Sequence, residues 1–183
     1  MRQKKRLSAA AIAVAGTAVA LAMLGGSALT PAAARPRCDA AWQFADPHVK
    51  SRRLRAFDRE RDENHTSHSL QATLTAKRGG TVEWGIHSHF GGSGGLNFGI
   101  VSASVDSSFD FDYSRSLTAE IGNEVSQRVA PHHALVGRYG VFKMVVTGHV
   151  YFLNSVCDVQ NDKGRVAVDL PNQVGWSVHQ PHL

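Results

Sequence analysis

Residues 101–129 read VSASVDSSFDFDYSRSLTAEIGNEVSQRV and keep a two-residue period from end to end. The odd positions carry Val101, Val105, Phe109, Phe111, Tyr113, Leu117, Ile121, Val125 and Val129, while every even position is polar, charged or glycine. Such a period belongs to a strand with one apolar and one wetted face. Drawn out straight, the segment would measure about 95 Å, whereas a compact domain of this size has a radius of gyration of about 15 Å. The segment therefore folds back, or it belongs to a long, thin molecule.

Parity limits where it can fold. A two-residue turn at Gly122-Asn123 would put Ile121 opposite Glu124 and move every later apolar residue to the polar face. A three-residue loop preserves parity, so the expected bend is Ser114-Arg115-Ser116, with Tyr113 opposite Leu117 and two arms of about 13 residues. Two readings fit these arms. In one they form half of a soluble β-sandwich. In the other they are a membrane-insertion hairpin, since spanning strands need about 9–11 alternating residues, with Phe109, Phe111 and Tyr113 meeting lipid first.

The ends set the compartment. MRQKKR followed by the uncharged LSAAAIAVAGTAVALAML and by Pro31-Ala32-Ala33-Ala34 has the layout of a secretory signal peptide, so cleavage is expected near Ala34. The leader holds four of the 20 Lys and Arg and none of the 15 acids, which leaves the mature chain near neutrality. A nucleic-acid partner is therefore not indicated. Cys38 and Cys157 both survive cleavage, and export exposes them to oxidising conditions, so one disulfide is expected.

Along the mature chain, residues 35–65 mix Arg with Asp and Glu without a clean period and read as a charged, solvated N-terminal arm. Residues 66–183 read as an all-β domain, an elongated antiparallel sheet or sandwich with long amphipathic strands. HSLQATLTAK and TVEWGIHSHF alternate on either side of a turn expected at Lys77-Arg78-Gly79-Gly80. GGSGGLNFG reads as a hinge. GRYGVFKMVVTGHVYFL is apolar on both faces at its middle and reads as a central strand, and RVAVDL as a last one. No stretch after Asn64 shows a helical period.

This order, a Ser/Thr-rich alternating segment, then Val129-Ala130-Pro131, then a long strand GRYGVFKMVVTGHVYF, resembles the aerolysin-type β-pore-forming proteins, the group of the epsilon and mosquitocidal toxins. The resemblance covers about residues 66–155 and lies in texture. It implies secretion, homo-oligomers and contact with membrane lipid. The chain departs from the group in being short and in lacking a large receptor-binding domain. The YGVFK and TGH stretches and the late Gly175-Trp176 are also similar to secreted actinomycete proteins, which implies a shared fold and export but no activity.

Ten histidines stand in the chain. His87 and His89 share one strand face at a spacing that can chelate Zn²⁺ or Cu²⁺, and His65, His68, His132 or His133 would complete a set if the fold gathered them. Charging of histidines below about pH 6.5 is a further reading, an acid switch. For catalysis there is no G-x-S-x-G, H-E-x-x-H, P-loop or supported carboxylate pair, so no enzyme is expected. Asn64-His65-Thr66 is a glycosylation sequon. The leading expectation is a secreted, membrane-active β protein acting through residues 101–129. A secreted β-sandwich binding module and a secreted metal-binding protein are the alternatives.

Overall fold

The computed structural model describes residues 37–87 and 95–183, so the expected leader and the first four residues of the glycine-rich hinge lie outside the described residues. Three long strands dominate: β1 (Ala41–Asn64), β7 (His133–Leu153) and β8 (Val159–His179). With the short β4 (Gly85–His87) they form an antiparallel sheet in the order β1-β7-β8-β4. Two smaller ladders, β2 (Leu70–Thr75) with β6 (Glu124–Val129) and β3 (Gly80–Glu83) with β5 (Ser116–Ala119), are antiparallel as well. One helix, α1, spans Phe98–Ser108. Among the described residues the protein is all-β apart from this helix.

The central strand is β7, apolar on both faces as expected. Leu135, Tyr139 and Val141 alternate with Met144, Val146 and Val150 to supply two different cores. On one face Leu135 packs with Ala72, Leu74 and Val129, and Tyr139 and Val141 pack with Ala76 and Ala119, so the two small ladders cover this side. On the other face Val146 and Val150 join Phe44, Val166, Val168 and Leu170 under Val101 and Val105 of α1.

In β8 the even residues serve both cores, because the register shifts where Phe142 pairs with Gln173 and Lys143 with Pro171. The extra residue, Asn172, turns the strand over, so Val174 and Trp176 face the ladders while Val168 and Leu170 face α1. Pro171 sits at this irregularity, where a missing N–H costs no ladder bond.

The N-terminal arm departs from expectation. Residues 41–64 pair with β7 along its whole length, with shifts between Ala45 and His48, Val49 and Ser51, and Ala56 and Asp58. Each extra residue reverses the alternation, so three bulges erase the two-residue period that would have marked a strand. At the third bulge Phe57 turns onto β3, and a Cβ added at Gly80 would stand 2.5 Å from its ring.

Cys38 and Cys157 are joined, with Cα atoms 5.2 Å apart. Asn64 is 3% exposed, and its amide donates to the carbonyls of His68, Val129 and Ala130. That amide is committed to the turn, so the sequon has no free acceptor in the folded chain.

Candidate functional site

The two small ladders are one hairpin. Leu70 pairs with Val129 and Thr75 with Glu124; Gly80 pairs with Ala119 and Glu83 with Ser116. All follow a single rule, residue i opposite residue 199 − i. Between the ladders, Ala76 N–H donates to the Asn123 carbonyl and Gly122 N–H to the Ala76 carbonyl. Four residues on each side keep the count equal. Gly122 takes a left-handed conformation (φ 82°), and Trp176 Nε1 donates to Asn123 Oδ1 across 3.1 Å. Gly122-Asn123 is thus a kink that does not reverse the chain, and 77–80 is likewise not a hairpin turn. On the outer face Thr73 meets Ser126 and Thr81 meets Thr118, hydroxyl to hydroxyl.

Beyond Glu83 and Ser116 the chain leaves this hairpin. Trp84 N–H still donates to the Arg115 carbonyl at 2.9 Å, the next contact of the same ladder. Residues 85–87 and 95–114 then tuck against the long sheet. β4 adds to β8 through Gly85–Asp169, Ile86–Val168 and His87–Ala167. Ser114 N–H donates to the Pro171 carbonyl, and the Asn172 amide donates to the Asp112 carbonyl.

The helix is a product of its surroundings. Asn97 caps it by accepting the Ile100 N–H at 3.1 Å, and Val101 and Val105, one turn apart, are wholly buried. Little else favours it. It has 11 residues, no acid in the first turn and no base in the last. Ser102, Ser107 and Ser108 turn their hydroxyls back on helix carbonyls, a pattern that weakens helices. A helix this short is marginal by itself. The residues fit both periods, since Val101 and Val105 are four apart and also both odd.

The return segment is aromatic. Phe109, Phe111 and Tyr113 pack in sequence with ring centres 5.6 and 5.8 Å apart, and Phe98 joins Tyr113 and Trp84. The Tyr113 hydroxyl lies 2.7 Å from Asp106 Oδ1, with Ser102 O at 3.1 Å. Burial, with the bond to Asp106 and its charge, pushes this phenol up to about 12.

A polar latch stands at β4. Asp169 is 5% exposed and takes contacts from Lys143 Nζ and from His87 Nε2, the latter at 2.8 Å. Burial by itself would raise the Asp169 carboxyl, but the hydrogen bonds and charges of Lys143 and His87 hold it below its ordinary value.

The expected bend at Ser114-Arg115-Ser116 is therefore overturned. Residues 101–129 are a single arm made of α1, the aromatic return, β5 and β6. Over 115–129 its partner is 70–84, which is why parity does not change through β5 and β6. Of the apolar set, Val101, Val105 and Val129 are buried, Phe109, Phe111, Tyr113, Leu117 and Val125 are partly covered, and Ile121 alone is 69% exposed. Trp84 and Ile86 lie on the apolar face expected of their strand, whereas Leu96 and Phe98, which share the core of Val101 and Val105, were missed.

Of the proposed metal pair, His87 is engaged by Asp169 and His89 lies outside the described residues. Among the described residues no group of three or more His, Cys, Asp or Glu side chains is gathered to hold a metal. His65 instead contacts Glu63, and His149 contacts Asp162.

No protein-family model and no curated protein sequence matches the chain. Among solved structures it is similar to a candidate pore-forming toxin from Bacteroides vulgatus, at 12% identity and a TM-score of 0.30, over 79% of this chain and 56% of that one. It is also similar to parasporin-2, the Bacillus thuringiensis toxin that recognises cancer cells, at 12% identity and a TM-score of 0.31, over 79% and 74% of the two chains. The chain thus spans just over half the length of the first of these. Both matches are distant.

Proposed function

We propose that this is a secreted, non-catalytic, membrane-active protein whose segment 84–115 leaves the sheet and zips onto β3 and β5 as a transmembrane hairpin. One observation carries the reading: the single register of the β2–β6 and β3–β5 ladders. Continued outward, that register sets Trp84 opposite Arg115, Ile86 opposite Tyr113, Leu96 opposite Ala103 and Phe98 opposite Val101. The apolar residues of both arms fall on one face. Ser102, Ser104, Asp106, Asp110, Asp112 and Ser114 fall on the other, with Gly85, His87 and Asn97.

Each arm of about 15 residues exceeds the 9–11 that a tilted strand needs to cross a bilayer. A lone hairpin would expose unpaired backbone to lipid, so several copies closing a barrel are required. The release costs little secondary structure, since it gives up a marginal helix and three ladder pairs of β4. The side chains that now cover the sheet would cover lipid contacts afterwards.

Single cysteines carrying an environment-sensitive fluorophore test this, because the two native cysteines are already paired. On vesicles that the protein makes leaky, labels at 105, 109 and 113 and at 84, 86 and 98 should enter lipid. Labels at 104, 110 and 112 and at 85 and 97 should stay in water. No leakage from any vesicle, or lipid exposure without the two-residue period on both arms, overturns the proposal in favour of a soluble binding module.

A further inference from the structure

The C-terminal segment folds back onto the turn between β6 and β7. Ala134 N–H donates to the Pro181 carbonyl at 3.0 Å and Leu183 N–H to the His132 carbonyl at 2.9 Å, so His133 and His182 face one another as an isolated antiparallel bridge. Gln180 joins the clamp, accepting from Ala130 N–H and donating to the Arg128 carbonyl.

Across this bridge the two imidazoles stand with ring centres 4.8 Å apart and planes at 66°. His133 Nδ1 lies 2.7 Å from the Pro131 carbonyl oxygen, and His182 Nδ1 lies 2.9 Å from the Leu183 oxygen. Those oxygens only accept, so in the neutral form of each ring the proton sits on Nδ1 and Nε2 is the nitrogen available to a metal. An Nδ1–H fixed by an oxygen is the arrangement that orients metal-binding histidines and raises their basicity. The ring spacing agrees. A metal bound about 2.1 Å from each nitrogen lies about 3.2 Å from each ring centre, so two rings chelating it at about 90–110° have centres about 4.5–5.2 Å apart.

We propose that His133 and His182 form a two-imidazole site for a borderline divalent transition ion, with Cu²⁺ bound ahead of Zn²⁺. Water completes the coordination, which makes the ion exchangeable. His182 is exposed and His133 half-buried, so the ion has access from solvent. A bound ion staples the segment 180–183 to the base of β6. The site does not depend on the membrane reading and is separate from the His87–His89 pair.

The test is calorimetric titration of the full chain, made without a histidine tag, with CuCl₂ and then ZnCl₂. His133→Gln and His182→Gln variants are compared with His132→Gln, the neighbouring exposed histidine whose side chain is outside the pair. One equivalent of Cu²⁺ should bind, Zn²⁺ more weakly, and either pair variant should lose at least tenfold in affinity while His132→Gln keeps it. Copper electron paramagnetic resonance should show coupling to two nitrogens. If His133→Gln misfolds, the exposed His182→Gln decides the result. Absence of binding, or equal binding by His182→Gln and the parent, overturns the site.

Discussion

Replacing Val105 by alanine separates packing from helix propensity in α1. Val105 is 0% exposed and rests on the core of Val146, Val150 and Val168. Losing two buried methyl groups costs about 1.6 kcal/mol by transfer, and the cavity adds to this. Alanine returns about 0.5 kcal/mol as the better helix former. The net cost of about 1.5–2 kcal/mol falls on the docking of α1, so its opening should become about 10–30 times more frequent. Hydrogen exchange should show faster amides over 98–108 with those of β7 unchanged, and vesicle leakage should accelerate in step. Ser107→Ala makes the opposite change at an exposed site whose hydroxyl bonds back to the Ser104 carbonyl. It should slow both readouts about twofold. If exchange in Val105→Ala stays at the parent value, the helix is not held by packing. If exchange rises while leakage does not, undocking of α1 is not the step that leads to the membrane.

Three further outcomes are expected. Reducing Cys38–Cys157, which closes a separation of 119 residues, should cost about 4–5 kcal/mol in the chain-entropy description, or about 10–15 °C in melting temperature; scanning calorimetry with and without reductant measures it, and a shift under a few degrees contradicts it. The Asp169 carboxyl is depressed below 3.8, so the stability it confers is complete above that value and fades as pH falls through the lower native value. Exchange of the β4 amides should therefore stay slow at pH 5–6 and quicken only below about pH 4, and opening near pH 6 would instead support the histidine switch. In planar bilayers, the hairpin's polar face with Asp106, Asp110 and Asp112 should give cation-selective channels, with selectivity weakened in an Asp110→Asn, Asp112→Asn variant; anion selectivity in the parent would place those residues elsewhere.

The strands of 66–87 and 116–153 were legible because each presents one face to a core, and β7 because both of its faces are buried. β1 was not legible. Its three bulges reset the alternation, and its Arg, Asp and Glu side chains resemble those of a solvated arm, while the ladder that orders it is supplied by β7 from the far end of the chain. α1 was hidden for a different reason. Gly99, the serines and the β-branched Val101 and Val105 favour strand or coil locally, and only the pocket over Val146 and Val168 selects the helix. The candidate hairpin was half visible. Parity excluded a reversal at Gly122-Asn123, but the three-residue bend inferred in its place assumed that the segment paired with itself. The partner strand lay upstream, and its even-numbered apolar residues carried the missing information.

The common register of the two ladders has a consequence for insertions and deletions. Because 76–79 and 120–123 contribute equal numbers of residues, the count is conserved through the kink, and every later pair inherits it. One residue added between β2 and β3 alone would leave β2–β6 intact, yet it would carry Trp84, Ile86 and Phe98 to the face of Ser102, Asp110 and Asp112. A compensating residue added between β5 and β6 would restore the match. Length in this short kink is therefore coupled across the hairpin, so a change on either strand alone would uncouple the two arms and turn Val82 or Leu117 away from the core of Tyr139 and Val141.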